Sequence, residues 1–278
     1  MGDKIQILQE DIRIRPSAVD GFFGCAFQWG KVFLEGKTSI PSARAAIGTA
    51  IHAAVEEGWK ESMEKGDKSF NLSSIIDAGM ESWKEETQKG VQYGKDEDEK
   101  SCMKEILVGT ECFVEDIVPF SEIPIGVETF YKVDIDHPLV SEVGGTIDYE
   151  TASTVGDVKT SKRKPSPGNY RTQQSTYKFL AKANGRDIKR NIIQGVILKK
   201  QPEGVILPLE ANEQESKDLI NIMLDTLRLV AEDKMPIELL LRPNPKYTFC
   251  SQAFCAFYGD CPGTKARELM PQVSHPKI

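Results

Sequence analysis

Two aspartates and a lysine stand close enough in this chain to share one reaction centre. Asp148 closes the run Gly144-Gly145-Thr146-Ile147-Asp148, and Asp157 and Lys159 lie in Gly156-Asp157-Val158-Lys159-Thr160. Residues two apart on a strand project from one face, so Asp157 and Lys159 share a side while Val158 turns towards the core. A tight turn between two strands would bring Asp148 alongside Asp157, and two carboxylates and an ammonium would converge. Carboxylate oxygens bind Mg²⁺ or Mn²⁺ and leave positions for water and phosphate oxygens. Such a metal polarises a phosphate and lowers the pKa of a bound water, and a second ion can stabilise the leaving oxygen. The lysine would position that water or neutralise the pentavalent state. This grouping suits phosphodiester hydrolysis. Taken alone, Asp-x-Lys fits a surface hairpin with a cross-strand salt bridge better, because the pattern is short and common.

The neighbouring residues change that balance. Gly145-Thr146-Ile147-Asp148-Tyr149, followed eight residues after the Asp by Gly156-Asp157-Val158-Lys159-Thr160, resembles motifs II and III of the RecB-like PD-(D/E)XK nucleases. Upstream, Gly48-Thr49-Ala50-Ile51-His52 is similar to their helical Gly-x-x-x-His; downstream, Gln173-Gln174-Ser175-Thr176-Tyr177 matches their Gln-x-x-x-Tyr. Gln173 and Tyr177 are four apart and share one helix face. The four motifs occur in the family's order, and the resemblance runs from about Ser17 to Cys261. It implies His52, Asp148, Asp157 and the Val158 carbonyl as metal ligands and Lys159 as the catalytic lysine. Gln173 and Tyr177 would support that lysine or touch the DNA. Asp157 stands where many relatives have Glu, which bears on metal geometry more than on the assignment. Glu128 matches a glutamate often found on the first strand of these folds; it reads either as an outer support of the metal or as an exposed residue.

Six cysteines in a chain expected to be cytosolic argue against a disulfide framework and for metal ligation or burial. Cys250-x4-Cys255-x5-Cys261 gathers three thiols within 12 residues, and Cys261 is followed by Pro262. Close thiolates with a fourth from afar can hold a [4Fe–4S] cluster; zinc also accepts four thiolates, and buried structural cysteines are the third reading. Cys25 resembles the N-terminal cluster cysteine of the same nuclease branch, which includes CRISPR-associated exonucleases, and is the natural fourth ligand. Relatives usually show Cys-x-x-Cys where this chain has Cys250-x4-Cys255. Cys102 and Cys112 lack such partners, and His137 and His275 are given no role.

These residues need elements to hold them. Ser17-Ala18-Val19-Asp20 has the form of a helix start, with Phe22, Phe23, Ala26, Trp29 and Phe33 as one apolar side. Ile47, Ile51, Val55, Trp59 and Met63 recur every four residues and predict a helix over about 43–64. Two more helices are expected over 72–89 and 97–118. A meander of three strands is expected over 125–135, 140–149 and 154–160, and a helix from Ser166-Pro167 to about Ala183. Strands at 191–200 and 205–210 and a helix at 213–232 precede a Pro- and Cys-rich tail. The expected fold class is α/β: one restriction-endonuclease-like domain over 1–278, its central mixed sheet flanked by helices. Residues 43–240 would form the nuclease core, and 17–42 and 242–263 the cluster-binding segments.

The chain has 278 residues, 40% of them hydrophobic, and a formal net charge of −7. An acidic total is unusual for a nucleic-acid binder, but its distribution matters more. From Val158 to Arg186 no acidic residue occurs, while eight lysines and arginines do, beginning with Lys159, Lys162, Arg163 and Lys164. That strip reads as a solvated face or as a track for a phosphate backbone, with Lys162, Arg163, Lys164 and Arg171 on phosphates and Tyr170 stacking on a base. The expected protein is a cytoplasmic Mg²⁺- or Mn²⁺-dependent deoxyribonuclease, exonuclease-like on single-stranded or frayed DNA, in repair, recombination or mobile-element processing. A helicase or recombination partner is possible, and no membrane is expected. If the source were viral, the host cytoplasm would be its place. The rivals are a catalytically silent DNA-binding subunit and an iron–sulfur regulator. Activity that depends on metal separates both from a nuclease.

Overall fold

The computed structural model describes residues 5–247, 250–251, 255–259 and 261–264. His275 lies outside them. In chain order the elements are β1 (Ile12–Ile14), α1 (Pro16–Gly24), α2 (Ala26–Phe33), α3 (Ala43–Lys65), α4 (Leu72–Lys89) and α5 (Glu99–Asp116). Then come β2 (Gly126–Asp134), β3 (Val140–Glu150), β4 (Thr154–Ser161), a 3₁₀ turn at Pro167–Tyr170 and α6 (Arg171–Ala183). The chain continues through β5 (Arg190–Ile197), β6 (Glu203–Leu209), α7 (Glu213–Ala231) and the short α8 (Ile237–Leu240). It divides into two compact units: Ile40–Val133 with Gly144–Lys217, and Met1–Ser39 with Asp134–Val143 and Asp218–Ile278.

The larger unit is an α/β sandwich on a mixed sheet. β3 pairs antiparallel with β4, β4 parallel with β5, and β5 antiparallel with β6, while β2 pairs with β3. The three-strand meander expected over 125–160 is therefore present. Val158 of β4 packs with Ile47, Ile51 and Trp59 of α3 and with Ile106 and Phe113 of α5. Val155, three residues earlier and so on the other face, packs with Ile147 and with Tyr177 and Ala181 of α6. Helices therefore cover both faces of β4. Long apolar side chains at four-residue spacing give α3 its buried stripe; Trp59 alone meets Phe70, Phe113 and Tyr149 at ring-centroid distances of 5.0–6.2 Å. The ends of α3 are set by sequence: Ser42 accepts from the Ala45 amide at 3.2 Å, and Gly66 closes the helix at φ 72°.

In the smaller unit β1 runs parallel to the first residues of β3, Ile12 opposite Val140 and Ile14 opposite Val143. The single helix expected from Ser17 is two helices, broken at Cys25, whose φ of −155° and ψ of 92° are extended. Ser17 does not cap the first of them. Pro16 occupies the first helical position, so Arg15 is the flanking residue and makes no side-chain cap. Phe22 and Trp29 are buried and packed edge to face at 5.3 Å, whereas Phe23 is exposed.

Candidate metal centre

Asp148 sits where the β3–β4 ladder ends. The pairs Glu150–Val155 and Tyr149–Gly156 are in register; one residue on, the Asp148 carboxylate takes the next amide instead, with Oδ2 accepting from Val158 N at 2.7 Å. The side chain thus replaces a strand carbonyl and is fixed by the backbone beside Asp157. His52 reaches the same spot from α3, with Nδ1 3.4 Å from Asp148 Oδ2, and it also donates to the Val158 carbonyl. Gly48, one turn earlier, allows this approach. A Cβ there would lie 3.0 Å from Thr160 Oγ1 on β4, tighter than an ordinary contact.

Glu128 completes a triad. Among the described residues, one ligand atom each from His52, Glu128 and Asp148 lies within 4.8 Å of the others. Glu128 is held at φ 49°, a left-handed conformation that costs a β-strand residue energy and is often found at functional sites. Asp157, 1% exposed, lies beside them, and its charge acts on His52. Its Oδ2 is 2.6 Å from Lys159 Nζ and its Oδ1 accepts from Gln173 Nε2 at 3.2 Å. Gln173 also donates to the Tyr177 hydroxyl at 3.2 Å. The Tyr170 ring lies 5.5 Å from Lys159 Nζ, a cation–π distance.

A cavity of about 610 Å³ opens on this group, lined by His52, Glu128, Asp148, Val158 and Lys159, with Glu56 and Arg44 further out. Glu56 and Arg44 were not singled out from sequence. Glu56 follows His52 by four residues on α3, and that spacing was the available signal. Arg44 is held outside by ion pairs to Glu97 and Glu105.

Burial dominates the electrostatics. It pushes the Asp148 and Asp157 carboxyls up, and each of the two also senses further carboxylate charge, partly offset by Lys159. Burial, then Asp148 and Glu56, pushes Glu128 up to about 7. The His52 imidazole is pushed down by burial and is therefore neutral at neutral pH, with a lone pair free. Three destabilised carboxylates beside a neutral imidazole form a donor set of hard oxygens and one nitrogen. Lys159, and Lys60 beside Glu56 and Glu128, offset that charge only in part, and a divalent cation fits the remaining need.

The other candidate residues fall in two places. Lys162, Arg163 and Lys164 are exposed after β4, and Arg171 opens α6 in an ion pair with Glu215 at 2.7 Å. Cys25, Cys250, Cys255 and Cys261 belong to the smaller unit, where residues 242–247 dock on residues 24–27. Phe27 N donates to Arg242 O, Asn244 Nδ2 donates to Gly24 O, and Gly24 lies so near Tyr247 that a Cβ would come within 2.4 Å of its ring. Burial raises the Cys255 and Cys261 thiols, and the thiols of Cys25 and Cys250 push in the same direction. No three of these sulfurs fall within 4.8 Å of one another. Cys102 and Cys112 are buried in the core of α3, α4 and α5.

The fold and the acidic hairpin agree with the comparison to known families. Residues 13–262 match the PD-(D/E)XK nuclease superfamily, and the chain belongs to that superfamily. A solved structure from Eubacterium rectale, described as a "putative exonuclease", has a similar fold at a TM-score of 0.58 and 12% identity, covering 81% of this chain and 83% of that one. No curated protein matches the chain. Among the described residues, no helix is long and apolar enough to cross a membrane.

Proposed function

We propose that the protein is a divalent-metal-dependent deoxyribonuclease that acts on single-stranded or frayed DNA ends. The observation that carries this reading is the meeting of half-buried His52, Glu128 and Asp148 at one cavity that Lys159, paired with Asp157, also lines. His52, Glu128, Asp148 and, by the family's pattern, Asp157 with the Val158 carbonyl would hold Mg²⁺ or Mn²⁺. When bound, the metal polarises the phosphodiester and lowers the pKa of its water. Val158 N fixes the Asp148 carboxylate; Asp157 fixes the Lys159 ammonium, and Gln173 fixes Asp157. Lys159 would supply positive charge where a phosphate gains negative charge. Tyr177 sets the position of Gln173. Lys162, Arg163, Lys164 and Arg171 would track the backbone, and Tyr170 would offer a base a stacking surface.

A second metal group is proposed in the smaller unit: Cys25, Cys250, Cys255 and Cys261 holding a [4Fe–4S] cluster. Its support is the docking of 242–247 on 24–27 and the mutual effect of the four thiols. Thiolates that ligate separate irons stand farther apart than ligands of one ion, so a cluster does not need three sulfurs within 4.8 Å of one another. The cluster would pin the C-terminal segment and take no part in hydrolysis. Free cysteines suit a reducing compartment, here the cytoplasm. The test of function is incubation of anaerobically purified protein with end-labelled single-stranded DNA, duplex DNA and RNA in Mg²⁺, Mn²⁺ or chelator. Cleavage of single-stranded DNA in metal alone is expected. DNA binding without cleavage in either metal would favour a silent subunit.

A further inference from the structure

Helix α6 carries two sets of functional side chains on opposite sides. Gln173 and Tyr177 face the acidic centre. At 3.6 residues per turn, Arg171 and Lys178 lie roughly 130° around the helix from them. On that far side is a cleft of about 710 Å³, lined by Arg171 and Lys178, by Lys189 and Arg190 where β5 begins, and by Glu210 after β6. Four cations meet one carboxylate there. The carboxylates that pair with these cations stand outside the cleft: Glu215 with Arg171 at 2.7 Å, Glu122 with Arg190 at 2.5 Å and Asp187 with Lys189 at 3.4 Å. All three pairs are exposed, and such pairs exchange readily for another anion. Lys178 donates to the Ala211 carbonyl at 3.3 Å, and its charge also acts on Glu213.

We infer that this cleft is a second phosphate-binding site for the DNA strand whose end lies in the acidic pocket. The inference rests on the nuclease reading above and names where its substrate continues. A helix with its side chains is about 10–12 Å across, and a strand stacked as in a duplex advances about 3.4 Å per nucleotide. A strand leaving the pocket and rounding the start of α6, past exposed Lys162–Lys164, therefore reaches the cleft about three or four nucleotides on. Phosphate is the group that fits: the lining is cationic and polar, and the site is an open cleft with no aromatic ring among its lining residues.

The test is equilibrium binding of fluorescent single-stranded oligodeoxynucleotides, about 4 to 16 nucleotides long, in chelator so that no turnover occurs. The proteins are the wild type, Lys178→Gln/Lys189→Gln and the charge-preserving Lys178→Arg/Lys189→Arg. The wild type should gain about tenfold in affinity once the strand exceeds roughly four nucleotides. The Gln pair should lose that gain, keep the affinity for the shortest strand, and lower the salt slope by about 1.4, since single strands give about 0.7 per phosphate neutralised. The Arg pair should behave as the wild type. A Gln pair that binds long strands with wild-type affinity and slope would overturn the cleft assignment and leave the nuclease reading standing. Absence of DNA binding by the wild type at every length would overturn both. A Gln pair that loses affinity equally at all lengths, or an Arg pair that loses it too, would mean that the lysines act through the fold, which also overturns the assignment.

Discussion

Replacing Asp157 by Asn should stabilise the metal-free protein. Asp157 is 1% exposed, and burial together with Asp148 holds its carboxyl at about 6 against an ordinary 3.8. The folded state therefore keeps a proton that the unfolded chain gives up, and ionising this group in the folded state costs free energy. At 1.36 kcal/mol per pKa unit the gap is worth about 3 kcal/mol. That gap already includes the Lys159 ion pair at 2.6 Å, so a net gain on the order of 3 kcal/mol at most is expected in chelator at pH 8. The sign with pH follows from proton linkage: a raised carboxyl contributes its stability below the unfolded pKa and loses it as pH rises through the folded one. Wild-type stability in chelator should thus fall between about pH 4 and pH 7, and the Asn variant should show a smaller fall. Saturating Mn²⁺ should reverse the order, since a ligand at a hundred times its Kd adds about 2.7 kcal/mol to a protein that binds it. Urea unfolding of both proteins across pH, with chelator and with Mn²⁺, measures all of this. An Asn variant less stable than the wild type in chelator at pH 8, or a wild type indifferent to Mn²⁺, would refute the reasoning.

Two further expectations follow from particular contacts. Gly48→Ala gains about 1 kcal/mol of helix propensity but places a Cβ 3.0 Å from Thr160 Oγ1; thermal stability should change little while cleavage falls, because His52 moves with α3. Cys25→Ser and Cys261→Ser should each remove the brown colour and lower the unfolding temperature, whereas Cys102→Ser and Cys112→Ser should retain the colour; one zinc per chain and no iron after anaerobic preparation would contradict the cluster while leaving a four-thiol site.

Much of the centre was legible because its determinants are local. The two-residue spacing of Asp157 and Lys159 and the four-residue spacings of α3 and of Gln173 with Tyr177 fix faces without knowledge of the fold. Most element boundaries fell within a few residues for the same reason, α3 and α4 among them, whereas α6 starts at Arg171 after a 3₁₀ turn over Pro167–Tyr170. What escaped depends on tertiary contact. The convergence of Glu128 with His52 and Asp148 rests on a positive φ that no short pattern announces. β1, Ile12–Ile14, is too short for periodicity and exists through its pairing with β3. The break at Cys25 separates two helices that share one apolar repeat, so periodicity read them as one. At Ser17 the Ser-x-x-Asp pattern was followed where Pro16, a first-turn residue, was the stronger signal.

The central claim is that this centre cuts DNA through the Asp157–Lys159 pair and its metal ligands. Its most direct test is single-turnover cleavage of end-labelled single-stranded DNA in Mn²⁺ by the wild type and by Lys159→Ala, with DNA affinity measured in chelator alongside. Lys159 lines the cavity at 23% side-chain exposure, so on this account the variant should bind DNA as the wild type does and cut it on the order of a hundredfold more slowly or worse. Cleavage by Lys159→Ala at the wild-type rate would contradict the account.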